Sequence, residues 1–253
     1  MKSDISAVIV AHNEEKNLED CLKSLDFPDE IIVVLDKCTD KTKEIAQKYT
    51  KNIIEGSWNI EGARRNVALN AANCSWILEI DADERISPEL AREINEITAK
   101  SQNCGFKIPI ANYIGKRWIK HGWLRTLGVL ERQTLTYKGL KKYDEDKEVH
   151  PTFKANFVVK KLENPIIHLV DEDISDLIAR FNRYTNWKAN DMIFKKKIKG
   201  GFFYLLIAAK LRFFKSFIIK KGFKEGSIGL LIAILAALYP IISYAKAKEK
   251  TSK

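Results

Sequence analysis

The sequence predicts an α/β fold, in which a mostly parallel sheet carries helices on both faces, followed by a basic helical tail. Short β-branched runs alternate with helical patterns over the first 110 residues, as in parallel sheets. Hydrophobic residues make up 45% of the 253, which is enough for a core and excludes wholesale disorder. The net charge of +10 is uneven, because residues 188–253 hold 15 basic and 3 acidic side chains. This asymmetry argues against a uniformly basic nucleic-acid binder.

The elements are predicted in order from hydrophobic periodicity. Apolar runs without a helical period predict strands at residues 5–10, 31–35, 52–55 and 76–80. Apolar residues at helical spacing predict helices at residues 14–25, 41–49, 63–72, 88–100 and 173–188. Between 104 and 168 the pattern is irregular and rich in aromatic and charged residues, which indicates loops and a few extra strands. The apolar run near the N-terminus is too short for a signal peptide, so we expect a cytoplasmic start.

Polar side chains follow three of these strands at their carboxyl ends. Glu14 follows the first strand, Asp36 the second, and Asp81 and Asp83 the strand at 76–80. Ligands of parallel sheets bind at this edge, so we expect these carboxylates to converge there. Asp81 and Asp83 form an oxygen-rich pair suited to a hard divalent cation that takes further ligands from phosphate. Neither a dinucleotide fingerprint nor a P-loop is present.

Four segments stand out by their order and spacing. They are SAVIVAHNEE at 6–15, EIIVVLD at 30–36 with TDKT at 39–42, GARRNVAL at 62–69, and WILEIDADE at 76–84. These segments resemble glycosyltransferase family 2, whose members have the GT-A fold, and the resemblance covers about residues 3–110. Together they are far more specific than a lone DxD pair, which more often caps a helix.

The resemblance implies a role for each matched position. The residues implied to bind the nucleotide sugar are Val10, His12, Glu14, Asp36, Arg65, Asp81 and Ala82. Within this set, Asp36 would accept a hydrogen bond from the base, which favours a uracil-type donor. Arg65 would face the diphosphate. Asp81 and Asp83 would hold Mg²⁺ or Mn²⁺ against it.

Later segments resemble the β-glucosyltransferases of lipopolysaccharide core assembly. They are NYIGKRWIKHGW at 112–123, Val149-His150, and the tail from Lys221. This implies an inverting transfer of a hexose from a nucleotide sugar to a membrane glycolipid, in lipopolysaccharide core or another cell-surface glycan. Relatives commonly carry Glu after the Val-His pair, where this chain has Pro151. The general base is therefore left open among Glu148, Asp146 and Glu131, and a catalytically silent nucleotide-binding membrane protein is an alternative.

The tail suggests a membrane partner. Residues 226–245 carry no charge and would span about 30 Å as a helix, although Gly226, Gly229 and Pro240 weaken it. Lysines flank both ends, so the positive-inside rule gives no orientation. We expect helices lying in or dipping into the cytoplasmic leaflet with lysines on anionic lipid, ahead of a true span or a buried core helix.

We therefore predict three segments. Residues 1–110 are the nucleotide-sugar-binding half of the GT-A domain, residues 111–187 the acceptor-side half, and residues 188–253 a membrane-associated tail. The predicted partners are a nucleotide-sugar donor, a glycolipid or lipid-linked acceptor and an anionic membrane surface, with no nucleic acid. The predicted location is the cytoplasmic face of the cell membrane, and a polyprenyl phosphate is an alternative acceptor.

Overall fold

A computed structural model describes residues 4–123, 130–145, 152–153, 157–195 and 200–252. The chain forms two compact units. The first combines Met1–Ile110 with Glu131–His168, and the second combines Ala111–Leu130 with Leu169–Lys253.

Ten strands and seven α-helices are described. The strands are β1 (Ile5–Ala11), β2 (Glu30–Asp36), β3 (Asn52–Gly56), β4 (Trp76–Asp81), β5 (Glu84–Arg85), β6 (Cys104–Ile114), β7 (Arg117–Trp118), β8 (Glu131–Tyr137), β9 (Val158–Lys161) and β10 (Ile166–Asp171). The helices are α1 (Leu18–Lys23), α2 (Thr42–Gln47), α3 (Glu61–Ala71), α4 (Pro88–Thr98), α5 (Ile174–Phe194), α6 (Phe202–Phe214) and α7 (Gly226–Thr251).

The sheet of the first unit has the order β3-β2-β1-β4-β8-β6. Strands β1 to β4 are mutually parallel, whereas β8 is antiparallel to both β4 and β6. Strand β9 pairs with β6 in parallel, and β5 pairs with β10 antiparallel through Glu84 and His168. The predicted α/β class is confirmed, and the irregular middle region supplies the antiparallel strands.

Both faces of the parallel strands are covered, which explains why their sequences are mostly apolar instead of alternating with polar residues. Successive side chains of a strand point to opposite faces. In β1, Ile9 therefore packs in one core cluster with α1 and α4, while its neighbour Val8 packs in another with Ala68 and Leu69 of α3. Helix α4 begins at Pro88 as predicted, where the Ser87 hydroxyl accepts a hydrogen bond from the N–H of Leu90 at 3.2 Å.

Two predicted helix boundaries were wrong. Helix α1 starts at Leu18 rather than at Glu14, because the N–H of Glu14 donates to the Thr42 hydroxyl at 2.8 Å and holds residues 14–17 as a turn. Helix α5 continues past residue 188 to Phe194, since no glycine or proline follows until Gly200.

The second unit is built around α5, α6 and α7. Its core contains Ile114 and Ile119 together with side chains from α5 and α7. A π-helical turn, Lys215–Ile219, and a 3₁₀ turn, Gly222–Glu225, connect α6 to α7. Among the described residues one helix, Gly222–Thr251, is long and apolar enough to cross a membrane by length and composition, and its most apolar stretch has a mean hydropathy of 2.2.

Candidate active site

The loops after β1 and β2 meet at the carboxyl edge of the sheet. His12 Nδ1 lies 2.6 Å from the backbone oxygen of Asp36, so this nitrogen carries the proton and donates. Glu14 lies within electrostatic range of Asp81 and Asp83 at the end of β4. Burial raises the pKa of Glu14, and the negative charges of Asp83 and Asp81 raise it further. Three of the predicted sets of polar residues are therefore brought together.

Asp36 is buried at the end of β2 with both carboxylate oxygens engaged. Its Oδ2 accepts from Arg64 of α3 at 2.7 Å, and its Oδ1 accepts from the N–H of Trp58 at 3.0 Å. Val10 lies on the same face of the sheet as α3, partly buried in the cluster there. The carboxylate is thus fixed in orientation before any ligand arrives.

Asp81 ends β4 between two arginines. Arg65 of α3 places its Nη1 3.5 Å from Asp81 Oδ1, and Arg132 of β8 forms a shorter ion pair with Oδ2. Arg65 is held in turn by Glu61, 2.9 Å away and one helical turn earlier. Burial alone would raise the pKa of Asp81, but the charges of Arg132 and Arg65 hold it below its usual range. Asp81 is therefore an anion at neutral pH.

Hydrogen bonds among its own residues and an ion pair with Arg132 hold the turn after Asp81 in place. Ala82 is buried, and its carbonyl accepts from Arg85 at 2.8 Å. Glu84 is also buried; its carboxylate accepts from the N–H of Asp81 at 2.9 Å and pairs with Arg132. Burial raises the pKa of Glu84 to about 7. Arg132 thus joins two carboxylates of the same turn.

Asp83 points toward β10 rather than toward the arginines. Its Oδ2 lies 3.2 Å from Nε2 of His168. Burial acts to lower the pKa of His168, but the hydrogen bond to Asp83 and the charges of Asp83, Glu84 and Asp81 outweigh it and raise the pKa. A carboxylate and an imidazole therefore face each other beside the arginine-bound Asp81.

The fit of this pair to a divalent cation follows from its donor chemistry. Within the described part of the chain, no group of three or more His, Cys, Asp or Glu side chains is placed to hold a metal by itself. Mg²⁺ usually takes one or two carboxylates and completes its shell with substrate phosphates and water. Asp83 with His168 fits an ion bound in that way, and Asp81 supplies a further oxygen nearby.

Of the three proposed bases, Glu131 is the one within the described residues, and it is not brought to this site. Glu131 pairs with Lys161 at 2.8 Å and Lys107 at 3.3 Å, and these hydrogen bonds lower its pKa. Because neighbouring strand residues face opposite sides, Arg132 reaches Asp81 while Glu131 points away from it. Asp146 and Glu148 lie outside the described residues.

Sequence reasoning missed Arg132 and His168. The available signal for His168 was its position as a single basic side chain in the apolar strand β10. For Arg132 the signal was its alternation with Glu131, which means that only one of the two can face the acidic pair.

A buried polar network also lies next to the site. Lys141 forms an ion pair with Glu79, and the hydroxyl of Tyr143 donates to the same carboxylate at 2.7 Å. Asn66 of α3 accepts from the N–H of Tyr143 at 2.8 Å and donates to its carbonyl at 2.9 Å. Residues 141–145 are thereby tied to the helix that carries Arg65.

Comparisons with known proteins identify the family and the fold. Residues 6–162 match the model of the family described as Glycosyl transferase family 2. Over 98% of this chain and 93% of the relative, the sequence is 25% identical to "Lipopolysaccharide core biosynthesis glycosyltransferase LpsC" of Rhizobium meliloti (strain 1021). It is 29% identical to an uncharacterized glycosyltransferase of Rickettsia bellii (strain RML369-C), over 97% of this chain and 86% of that one. The crystal structure of S. aureus TarS 1-349 in complex with UDP matches with a TM-score of 0.50 at 16% identity, over 98% of this chain and 92% of that one, which shows the fold.

Proposed function

The chain belongs to glycosyltransferase family 2 and is a glycosyltransferase with the GT-A fold, and we propose that it passes a hexose from a UDP-sugar to a membrane glycolipid. One observation carries the proposal. Two arginines converge on Asp81 directly beside the Asp83–His168 pair, at the carboxyl edge of the parallel strands. Fixed cations next to a carboxylate–imidazole pair suit a ligand with two phosphates and a divalent metal.

The diphosphate would be bound by Arg65 and Arg132. Both guanidinium groups are held in place by carboxylates, and the charge of Asp81 raises the pKa of each against the effect of burial, so both stay charged. Arginine pairs well with phosphate oxygens because its N–H groups form a planar fork. Asp83 and His168, with Asp81, would hold Mg²⁺ or Mn²⁺. When bound, that ion neutralises charge on the leaving diphosphate.

The nucleoside would be recognised at the end of β2. The Asp36 carboxylate offers about four lone-pair sites, of which Arg64 and the Trp58 N–H use two. A remaining site can accept the ring N–H of uracil, which is the reason for preferring a UDP-sugar. Val10, His12 and Glu14 would complete the pocket, with Ala82 against the sugar.

Inverting transfer needs a base on the face of the sugar opposite the leaving group. Asp146 and Glu148 stay our proposed bases, because Glu131 is engaged by two lysines and its pKa is lowered away from neutrality. The base would take the proton of the acceptor hydroxyl as its oxygen attacks the anomeric carbon, and the bond from that carbon to the diphosphate oxygen would break and release UDP.

The proposed acceptor is based on similarity to a known glycosyltransferase and on the composition of the C-terminal tail. The similarity to LpsC covers 98% of the chain and favours lipopolysaccharide core or another cell-surface glycan as the product. The basic, apolar tail favours an acceptor held at the cytoplasmic face of the cell membrane. A polyprenyl phosphate acceptor is the alternative within the same chemistry.

A thermal-shift screen tests the donor and the metal. UDP and UDP-hexoses with Mn²⁺ should raise the melting temperature, because a ligand that binds only the folded state stabilises it, by about 2.7 kcal/mol at a hundred times its Kd. Asp83→Asn should lose the Mn²⁺-dependent part, whereas the matched control Asp20→Asn, an exposed acid on α1, should keep it. Equal Mn²⁺-dependent stabilisation of Asp83→Asn would refute the metal role, and no response to any uridine nucleotide would refute the donor.

The acceptor requires a separate assay. Labelled donor is incubated with truncated lipopolysaccharide core lipids and, in parallel, with polyprenyl phosphate. Label in the core lipid supports the proposal, and label only in the polyprenyl lipid overturns the acceptor assignment. Tight UDP binding without transfer to either lipid would favour the silent nucleotide-binding protein.

A further inference from the structure

Helix α6 presents large apolar side chains to the outside. All residues of Phe202–Phe214 are described, and none of them is buried. Phe203 is 77% exposed and Ile207 60%, and Leu211 and Phe214 continue the same exposed face at helical spacing. A surface helix of a soluble protein normally turns such residues inward. The outward face of α6 is therefore an interaction surface.

Helix α7, unlike α6, has buried residues, although it is the helix long and apolar enough to span a membrane. Ile232 and Ala233 in its middle are fully buried within the second unit. Leu230 and Ile234 lie on its outward stripe and are 42% and 40% exposed. A Cβ on Gly229 would lie 1.9 Å from the carbonyl of Gly222, so α7 is closely packed at its start. With 33% of its apolar stretch buried, α7 packs against the rest of its unit along one face.

The positive charge around α6 favours an anionic partner. Residues 200–224 contain no Asp or Glu. Their basic residues are Lys210, Arg212, Lys215, Lys220, Lys221 and Lys224. A second copy docked face to face through α6 would bring like charges together. An anionic lipid surface satisfies both the apolar face and the basic residues, because lysine and arginine can reach headgroups while their stems lie along apolar surface.

We propose that α6 and the turn Lys215–Ile219 lie in the headgroup region of an anionic phospholipid bilayer. The face containing Phe203, Ile207 and Phe214 points to the acyl chains, and α7 stays packed within the protein instead of spanning the membrane. The proposed function enters this proposal only as the reason for docking, which is access to a lipid-linked acceptor. Lipid binding itself is measured without sugar transfer.

Vesicle co-sedimentation of the full chain tests the surface. Binding to phosphatidylcholine mixed with equal phosphatidylglycerol should exceed binding to phosphatidylcholine alone and should fall with salt, since each surface lysine contributes about fivefold. Phe203→Ser with Ile207→Ser should weaken partitioning by about a hundredfold. The α7 counterpart, Leu230→Ser with Ile234→Ser, should bind like the unsubstituted chain, as should Val158→Ser, an exposed apolar residue of the first unit.

A second readout does not depend on loss of binding. Tryptophan fluorescence from Phe203→Trp should be quenched by bilayers of brominated lipid more than that from Ile234→Trp. Stronger quenching at 234, or lost binding in the α7 variant but not in the α6 variant, would overturn the proposal. So would equal binding to the two vesicle types, or lipid-free oligomers that the α6 substitutions disperse. The UDP-dependent thermal shift of the α6 variant should be unchanged, which separates failure of docking from failure of the donor site.

Discussion

Replacing Lys141 by methionine should destabilise the first unit by about 3–5 kcal/mol, because it leaves a buried carboxylate without its cation. The side chains of Lys141 and Glu79 are 3% and 7% exposed. Lys141 Nζ also donates to the carbonyl of Gln133 at 2.7 Å and lies 4.4 Å from the ring centre of Phe153. Methionine keeps most of the volume, so the loss is electrostatic and not a cavity.

The assay is a double-mutant cycle measured by urea unfolding. Lys141→Met with Glu79→Leu removes both charges, and the pair should recover most of the stability that the single substitution loses. The matched control is Lys161→Met, which removes the half-exposed partner of Glu131. This surface pair should cost about 0–1 kcal/mol.

Two results would refute the reasoning on the Lys141 network. One is a cost for Lys141→Met no larger than that for Lys161→Met. The other is a coupling energy between Lys141 and Glu79 near zero. Either would mean that the interior of this unit is solvated more than the structure shows.

Three further substitutions test separate parts of the chain. Arg132→Lys should weaken UDP binding by about tenfold or more in calorimetry, because lysine keeps the charge but cannot join two carboxylates as a planar fork. Hydrogen bonds from His121 and Arg117 hold the pKa of Glu225 below its usual 4.5 despite burial. Its stabilising contribution is present above pH 4.5 and is lost as pH falls further, so the melting-temperature advantage over Glu225→Gln should shrink in acid. Gly229→Ala should cost about 1–3 kcal/mol in denaturant unfolding, since its Cβ meets backbone.

Matched controls sharpen two of these experiments, and each of the first two predictions has a result that would contradict it. Arg92→Lys changes an exposed arginine of α4 and should leave the UDP affinity alone. Gly201→Ala adds a methyl group where no atom lies within 4 Å, so it should be close to neutral. An advantage of Glu225 over glutamine that is constant with pH would contradict the ion-pair reading. An unaltered UDP affinity in Arg132→Lys would remove that residue from the donor site.

The parallel half of the fold was predictable because its signals are local. A strand such as β1 is apolar except for Ser6, and a helix such as α4 carries its own Ser and Pro start signals. Position at the carboxyl ends of such strands was enough to group Asp36, Asp81 and Asp83. Those inferences needed no knowledge of strand register.

The partners of these acids could not be found in the same way. Arg132 lies 51 residues from Asp81, and His168 lies 85 residues from Asp83. Which side chain of an alternating strand faces the acids depends on the pairing of β8 and β10, and a shift of one residue would exchange Arg132 for Glu131. Register over such separations is set by tertiary packing rather than by local pattern.

The tail shows a different limit of sequence reasoning. Composition indicated residues 226–245 as a membrane-associated segment, because hydropathy counts apolar residues without regard to whether other side chains cover them. The structure buries one face of α7 within its unit and leaves large apolar side chains of α6 exposed, although α6 is shorter and carries Lys210 and Arg212. The proposal that α6 is the lipid-facing helix rests on this difference in burial.

The same long separations bear on how the donor site is formed. Asp81 and Glu84 lie within the predicted nucleotide-sugar-binding segment 1–110, yet the cation that they share, Arg132, belongs to β8. Without β8 and β10, the buried Glu84 would have no cation and would be favoured in its protonated form, and Asp83 would face no imidazole. Binding of a diphosphate and a metal should therefore require the strands from residue 131 to 168 to be in place. The compact unit that holds these residues accordingly contains both Met1–Ile110 and Glu131–His168.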